Sequence, residues 1–306
     1  MIAGRREFVK TAALFGLIAA CNPDALWTPK PRPVGPEFFG HMVQGDWVQD
    51  DGTLCCPVTV YFGLLRLWDS RAVWWKMEQD TTALEANILY AERVDAQVMF
   101  TFGEPPVSAC YPNSKVPQPS AWAAFVRQTV TQAAGRVKYW ELWNEPAVTG
   151  YWDGTTEQLV EQSRVAYEII KELQPDAVVL SPSMVQTEGY GAFTDRYLAG
   201  GESSDVIAFH AYADTPDAIT PVIESLRASM RKYGVNKPIW NTEFAVVPKD
   251  SSLRNQYMED AFRLQYEAGV QGAVWNAEVP GAEDYTDGTM QRIADSMMGK
   301  PQGVAT

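Results

Sequence analysis

Beyond residue 37 the chain alternates between two patterns of apolar and polar positions. One is a set of short unbroken apolar runs: Phe38–Val43, Leu64–Trp68, Gln97–Phe102, Val137–Trp143, Ala177–Ser181, Val206–His210, Pro238–Glu243 and Gly272–Asn276. None alternates apolar with polar, which fits strands buried on both faces, as in a parallel sheet. Parallel neighbours need crossover connections, and the intervening stretches carry helical periodicity. The clearest is 156–173. Thr155 and Gln158 have capping-box spacing, Leu159, Ala166, Ile170 and Leu173 share a face, and Pro175 stops the run. Ser120–Ala134, Pro216–Tyr233 and Ser252–Ala268 read as helices too. The connection around 57–63 is weak as a helix, and Val107–Pro119, rich in Pro and Ser, reads as a long loop. Eight β/α units over residues 38–298 predict an α/β fold, a (β/α)8 TIM barrel in a single domain. The alternative is an open doubly wound sheet, which the missing glycine-rich turn after the first strand makes a poor nucleotide site.

The first twenty residues have a different pattern. Arg5 and Arg6 precede an apolar stretch, Thr11–Ala20, about half of what spans a bilayer. A cationic start, a short apolar stretch and small residues describe an export signal at residues 1–20, and RREFVK resembles the twin-arginine type. Ile18-Ala19-Ala20-Cys21 resembles a bacterial lipobox, which implies lipidation of Cys21 and a periplasmic or outer-membrane lipoprotein, the membrane being engaged only through that anchor. A secretory signal with a chance cysteine, or an uncleaved anchor, is the plainer reading. Residues 21–37 hold five prolines and read as an extended tether, and 299–306 as a tail.

Charge narrows the partners. A net charge of -13 repels phosphate, which argues against nucleic acid as a partner. Eleven tryptophans suit sugar rings as well as cores. The four cysteines form no zinc-like pair, although Cys55 or Cys56 could bond with Cys110 in an oxidising compartment. The two histidines lack HExxH spacing, and no G-x-S-x-G elbow or EF-hand loop occurs, so a zincin, an esterase and a calcium site have no support. No cofactor or metal is called for.

In a barrel of parallel strands, chemistry gathers at the C-terminal strand ends. There stand His41, Arg66 with Trp68 and Asp69, Glu104, Asn144-Glu145, His210 with Tyr212, Glu243, and Trp275. Glu145 and Glu243 close the fourth and seventh strands, on nearly opposite sides of the mouth. Two such carboxyls are what glycoside hydrolysis requires, about 5–5.5 Å apart for retention and about 6.5–9.5 Å for inversion. The one acting as acid has to hold its proton near neutral pH, which a neighbouring carboxylate and partial burial favour. His41 and His210 either face this site or sit in the core. Trp68 and Trp275 either form sugar platforms or pack the barrel. Asp69 and Glu104 either bind hydroxyls or cap loops. Trp74, Trp75 and Trp152 follow strand ends and are candidate subsite walls.

WELWNEP (140–146) together with WNTEF (240–244) resembles glycoside hydrolase clan A. The resemblance implies Glu145 as acid/base, Glu243 as nucleophile and Asn144 as a contact to the sugar 2-hydroxyl. It also implies Arg66 as the group that keeps the nucleophile ionised, Tyr212 as its hydroxyl neighbour, Trp275 as a platform and His210 as the strand-six histidine. LLRLWDSRAVWWKME (64–78) and FGEPPVSA (102–109) look most like family 39 and its relatives. Those usually carry an extra β-sandwich, for which the stretch after the last strand is too short. A bare barrel with open ends is more like an endo-acting enzyme on a polysaccharide such as an exopolysaccharide or cell-surface glycan. A transglycosylase on the same fold, or a non-catalytic glycan-binding lipoprotein, are the competing expectations.

Overall fold

A computed structural model describes residues 34–45, 51, 53, 63–70, 72–185, 191–277 and 288–299. The chain divides into two units, Met1–Arg32 and Pro33–Thr306, and all described residues lie in the second. The export signal, Cys21, most of the tether, Cys55, Cys56 and most of the weak first crossover lie outside the described residues.

Among the described residues, nine strands form one sheet: β1 (Phe39–Gly45), β2 (Leu64–Ser70), β3 (Gln97–Thr101), β4 (Tyr139–Glu141), β5 (Val178–Leu180), β6 (Met184–Val185), β7 (Ile207–Ala213), β8 (Ile239–Val246) and β9 (Ala273–Trp275). Their order is β5-β4-β3-β2-β1-β9-β8-β7-β6, and every named pairing is parallel. Helices cross between them: α1 (Trp74–Met77), α2 (Ala83–Arg93), α3 (Pro119–Ala133), α4 (Thr156–Leu173), α5 (Gly191–Ala199), α6 (Thr220–Lys232), α7 (Arg254–Glu267) and α8 (Thr289–Met297). Helix α4 carries the expected capping box, Thr155 with Gln158. Leu159, Ala166 and Ile170 are buried, but Leu173 in the last turn is exposed, so it does not share the packed face.

The eight-stranded ring expected from the sequence is instead a curled sheet with two ends. Its fifth strand is split at Ser181-Pro182-Ser183, where Pro182 has no N–H to donate to a ladder. Ser181 Oγ accepts from the Ala208 N–H at 2.9 Å in place of a backbone carbonyl. Between the two sheet ends an isolated parallel bridge pairs Leu180 with Val206.

Apolar side chains pack on both faces of the sheet. Between sheet and helices, Phe39, Phe100, Phe209, Phe244, Trp140 and Trp275 join Trp122, Phe125, Ile170 and Phe262. On the concave face Met42, Leu64, Met99, Tyr139, Leu180, Ala208, Trp240 and Val274 form a smaller apolar plug. The period-2 pleat places the next inward positions one layer above it: Arg66, Thr101, Glu141, His210 and Thr242. All five are buried. The apolar plug is thus the floor of a polar layer.

Candidate active site

Arg66 organises that layer. Its guanidinium is fully buried and spans two carboxylates. Nε and Nη2 donate to Glu141 Oε2 at 3.0 and 2.7 Å, Nη1 donates to Glu243 Oε2 at 2.7 Å, and Nη2 also donates to Asn144 Oδ1 at 2.7 Å. Glu141 is equally buried, and its remaining lone pairs accept from Thr101 and Thr242 hydroxyls. Burial alone would lower the Arg66 pKa, but the charges of Glu141 and Glu243 outweigh it and raise it.

Glu243 reaches this cluster through a β-bulge. The β7–β8 register slips between Phe209 and His210, and the β8–β9 register slips between Asn241 and Phe244. Asn241 pairs with Gln265 of α7 and Phe244 packs on Phe262 of the same helix, whereas Thr242 and Glu243 between them both turn to the concave side. An extra residue that re-aims a side chain is what a bulge supplies. Glu243 Oε1 accepts from the Tyr212 hydroxyl and, at 3.2 Å, from Asn276 Nδ2. Burial pushes the Glu243 carboxyl up. Charge interactions with His210 and the Arg66 guanidinium, with the hydrogen bonds from Tyr212 and Arg66, more than offset this and hold it below the ordinary carboxylate range. Burial and the Glu243 charge together push the Tyr212 phenol far up, so it stays a donor.

Glu145 stands just past β4 with φ +42°, a left-handed backbone unusual for a non-glycine residue and often found at functional sites. Its N–H donates to Ser183 Oγ at 3.0 Å, so the break in the fifth strand supplies the group that seats it. His210 Nδ1 lies 2.7 Å from Glu145 Oε1 and 3.9 Å from Glu243 Oε2. Glu145 Oε1 can accept from Nδ1–H whether or not its other oxygen carries a proton. One oxygen of Glu145, one of Glu243 and a His210 nitrogen all lie within 4.8 Å of one another. Such a trio could hold a metal ion by distance, but a cation there would face the Arg66 guanidinium, which already bonds Glu243. Both carboxyls keep an opening to solvent, with side chains 16% exposed for Glu145 and 10% for Glu243.

The structure therefore brings together Glu145, Glu243, Arg66, Asn144, His210 and Tyr212. Trp68 follows Arg66 on the same face of β2, one layer higher, and packs edge-on to Tyr151. Glu104 lies at the rim, accepting from the Trp75 indole. The side chain of Asp69 lies outside the described residues.

Four expected positions do not reach the site. Trp275 is fully buried against Phe244 and Phe262, on the helix side of the sheet, because the pleat sends Asn276 inward in its place. His41 is fully buried on the face opposite Met42, whose sulfur contacts Arg66. Trp74 stacks on Phe125 and Trp152 packs on Trp143, both in the core. Cys110 is a free buried thiol that donates to the Pro106 carbonyl.

Residues 110–298 match the family model described as the glycosyl hydrolase catalytic core. The chain belongs to that family. No curated protein sequence matches it. Solved structures share the fold of this glycosyl hydrolase core at low identity. A glucosidase from Croceicoccus marinus is 16% identical with a TM-score of 0.68, covering 88% of this chain and 70% of its own. Xylanase 10B from Thermotoga maritima is 16% identical with a TM-score of 0.60, covering 86% and 96%. An endo-β-1,3-glucanase of glycoside hydrolase family 128 from Sorangium cellulosum is 14% identical with a TM-score of 0.55, covering 87% and 99%.

Within this glycosyl hydrolase site, sequence reasoning passed over Glu141 and Thr101, and it gave no role to Thr242 and Asn276, which stand at strand ends. Glu141 lies inside the WELWNEP motif, four residues before Glu145. A charged residue within an otherwise apolar strand was the signal available. A buried carboxylate needs a cation, and Arg66 is the one the fold supplies.

Proposed function

We propose that this chain is a retaining glycosidase of clan A, close to family 39, that cuts β-glycosidic bonds inside a polysaccharide such as an exopolysaccharide or cell-surface glycan. The observation that carries this reading is the approach of Glu145 and Glu243 oxygens to within 4.8 Å, on the retaining side of the two known spacings. Water does not fit between carboxyls this close in the manner an inverting enzyme needs. Glu243, kept ionised by Arg66, attacks the anomeric carbon and forms an ester while the glycosidic C–O bond breaks. Glu145 gives its proton to the departing oxygen. It then takes a proton from the water that attacks the same carbon and releases Glu243. Arg66 holds Asn144 by its carbonyl oxygen, which leaves the amide N–H to meet the sugar 2-hydroxyl.

Glu243→Gln and Glu145→Gln are each expected to lose about 10²–10⁴-fold in kcat, measured by reducing-sugar release over a polysaccharide panel. Glu243→Gln should also fail to form the covalent adduct that a fluorinated sugar forms with the unsubstituted protein. Unchanged activity in either variant, or a product of inverted anomeric configuration by NMR, removes the mechanism. Internal cutting is checked by long fragments early in the digestion.

The same reading takes the curled sheet as a (β/α)8 barrel with β5 and β6 as the halves of its fifth strand, supported by the Leu180–Val206 bridge. Rapid amide exchange at Ser181, whose N–H donates to the Val206 carbonyl, would count against closure. In the same reading residues 1–20 are an export signal, 21–37 the tether and 38–298 the catalytic unit, held outside the cytoplasm on a lipid at Cys21; the Arg5-Arg6 start and the Ile18-Ala19-Ala20-Cys21 segment support it. Loss of labelled palmitate in Cys21→Ser tests this, and unlabelled parent protein refutes it.

A further inference from the structure

Helix α1 and the loops after β3 and β4 line an open cavity of about 240 Å³ whose walls include Trp75, Glu104, Pro105, Lys115 and Tyr151. It adjoins the catalytic layer. Trp68, two residues past Arg66 on the same face of β2, meets Tyr151 edge-on at 5.8 Å. The same indole presses on Gly103, where a Cβ would lie 2.8 Å from the ring, and Glu104 comes next.

The walls are built rather than loose. Trp75 donates twice to Glu104, from its backbone N–H to the carbonyl at 3.2 Å and from its indole to Oε2 at 2.9 Å. Glu104 has φ +47°, the same unusual backbone as Glu145 one strand away. Asp153 Oδ1 accepts from Ser114 Oγ and from the Lys115 N–H, and Lys115 Nζ reaches the Gly150 carbonyl. Trp74 is buried in a stack on Phe125, whereas its neighbour Trp75 is 38% exposed, so the core has no use for the second ring.

An indole, a phenol and a proline supply flat apolar surface for the C–H faces of a sugar, while one carboxylate and one ammonium address its hydroxyls. The two charges offset each other. An acidic sugar would meet Glu104 at the wall and a chain of net charge -13 around it. We propose that this cavity is a second sugar subsite, taking an uncharged pyranose of the chain whose scissile bond lies between Glu145 and Glu243. The proposal rests on the glycosidase reading for the identity of that chain.

The test is calorimetric titration of the full-length Glu145→Gln protein with neutral β-linked gluco- and xylo-oligosaccharides of increasing length, and with oligogalacturonates as acidic probes. Affinity should rise with length for a neutral series and stay low for the acidic one. Adding Trp75→Ala should weaken the longer neutral ligands about tenfold, and Trp75→Phe should restore part of that. Glu104→Gln keeps the size of the side chain and should weaken the same ligands. Affinity that ignores Trp75, tighter binding of the acidic series, or no binding of any oligosaccharide overturns the subsite. If neutral ligands bind through Trp75 yet the unsubstituted protein hydrolyses none, the subsite stands and the glycosidase reading falls. Hydrolysis with no dependence of affinity on Trp75 removes the subsite alone.

Discussion

Replacing Glu141 with Gln removes a charge from the base of the site while keeping its shape. Glu141 accepts four hydrogen bonds, from Arg66 Nε and Nη2, Thr101 and Thr242. The amide oxygen can still face Arg66, and the amide nitrogen can donate to Thr242 if that hydroxyl turns. What is lost is the carboxylate's charge opposite the guanidinium. The guanidinium keeps its own charge, so both bonds stay charge-assisted from that side; what goes is the attraction of the buried ion pair, about 2–3 kcal/mol, less than the cost of removing the partner altogether. Both side chains are fully buried, so solvent screening does not reduce this. Complete loss of a buried partner costs about 3–5 kcal/mol, an upper bound here because Arg66 keeps Glu243. At about 2–4 °C per kcal/mol for a domain approaching this size, the melting temperature should fall by roughly 5–10 °C in calorimetry. Activity should shift as well. With Glu141 neutral, the Arg66 charge leans wholly on Glu243 and depresses its pKa further, so the acid limb of kcat/KM moves to lower pH. An unchanged melting temperature together with an unchanged acid limb would refute the idea that Glu141 anchors Arg66.

Arg66→Lys should move the acid limb the opposite way, to higher pH. A single ammonium cannot serve Glu141, Glu243 and Asn144 together as the guanidinium does, so Glu243 loses part of what keeps it ionised. The pH profile of kcat/KM reads this directly, and an acid limb left in place would show that Arg66 does not set it. Stability follows by linkage. Glu243 is held below its ordinary range, so it adds stability above its unfolded pKa and loses it as pH falls through the lowered native value. Weakening Arg66 narrows that window from the acid side, which acid titration of the melting temperature should register. Gly272→Ala probes the plug below the site. A Cβ there would lie 2.5 Å from the Trp240 ring, and overpacking of this kind costs about 1–3 kcal/mol. Urea unfolding should show a lower midpoint, and an unaltered midpoint would mean that the plug yields without strain.

Much of this molecule was legible in one dimension. Strands announced themselves as unbroken apolar runs, and α4 was readable to its ends because Thr155, Gln158 and Pro175 carry their instructions locally. The pairing of Asn144-Glu145 with Thr242-Glu243 pointed to a site because carboxyls at two strand ends are costly unless used. Trp275 and Asn276 mark where such reading stops. Both belong to the same apolar run, and only one can face inward.

Local chemistry, then, set which segments become strands and helices, where they begin, and which carboxyls stand at the mouth. Folding alone decided which face each strand residue takes. A strand buried on both sides has no polar alternation to reveal its phase, and a bulge such as the one in β8 shifts that phase midway. The partnership of Arg66 with Glu141 and Glu243 is of the same kind. It joins residues 75 and 177 positions apart, and it exists because curling the sheet removes water from all three at once.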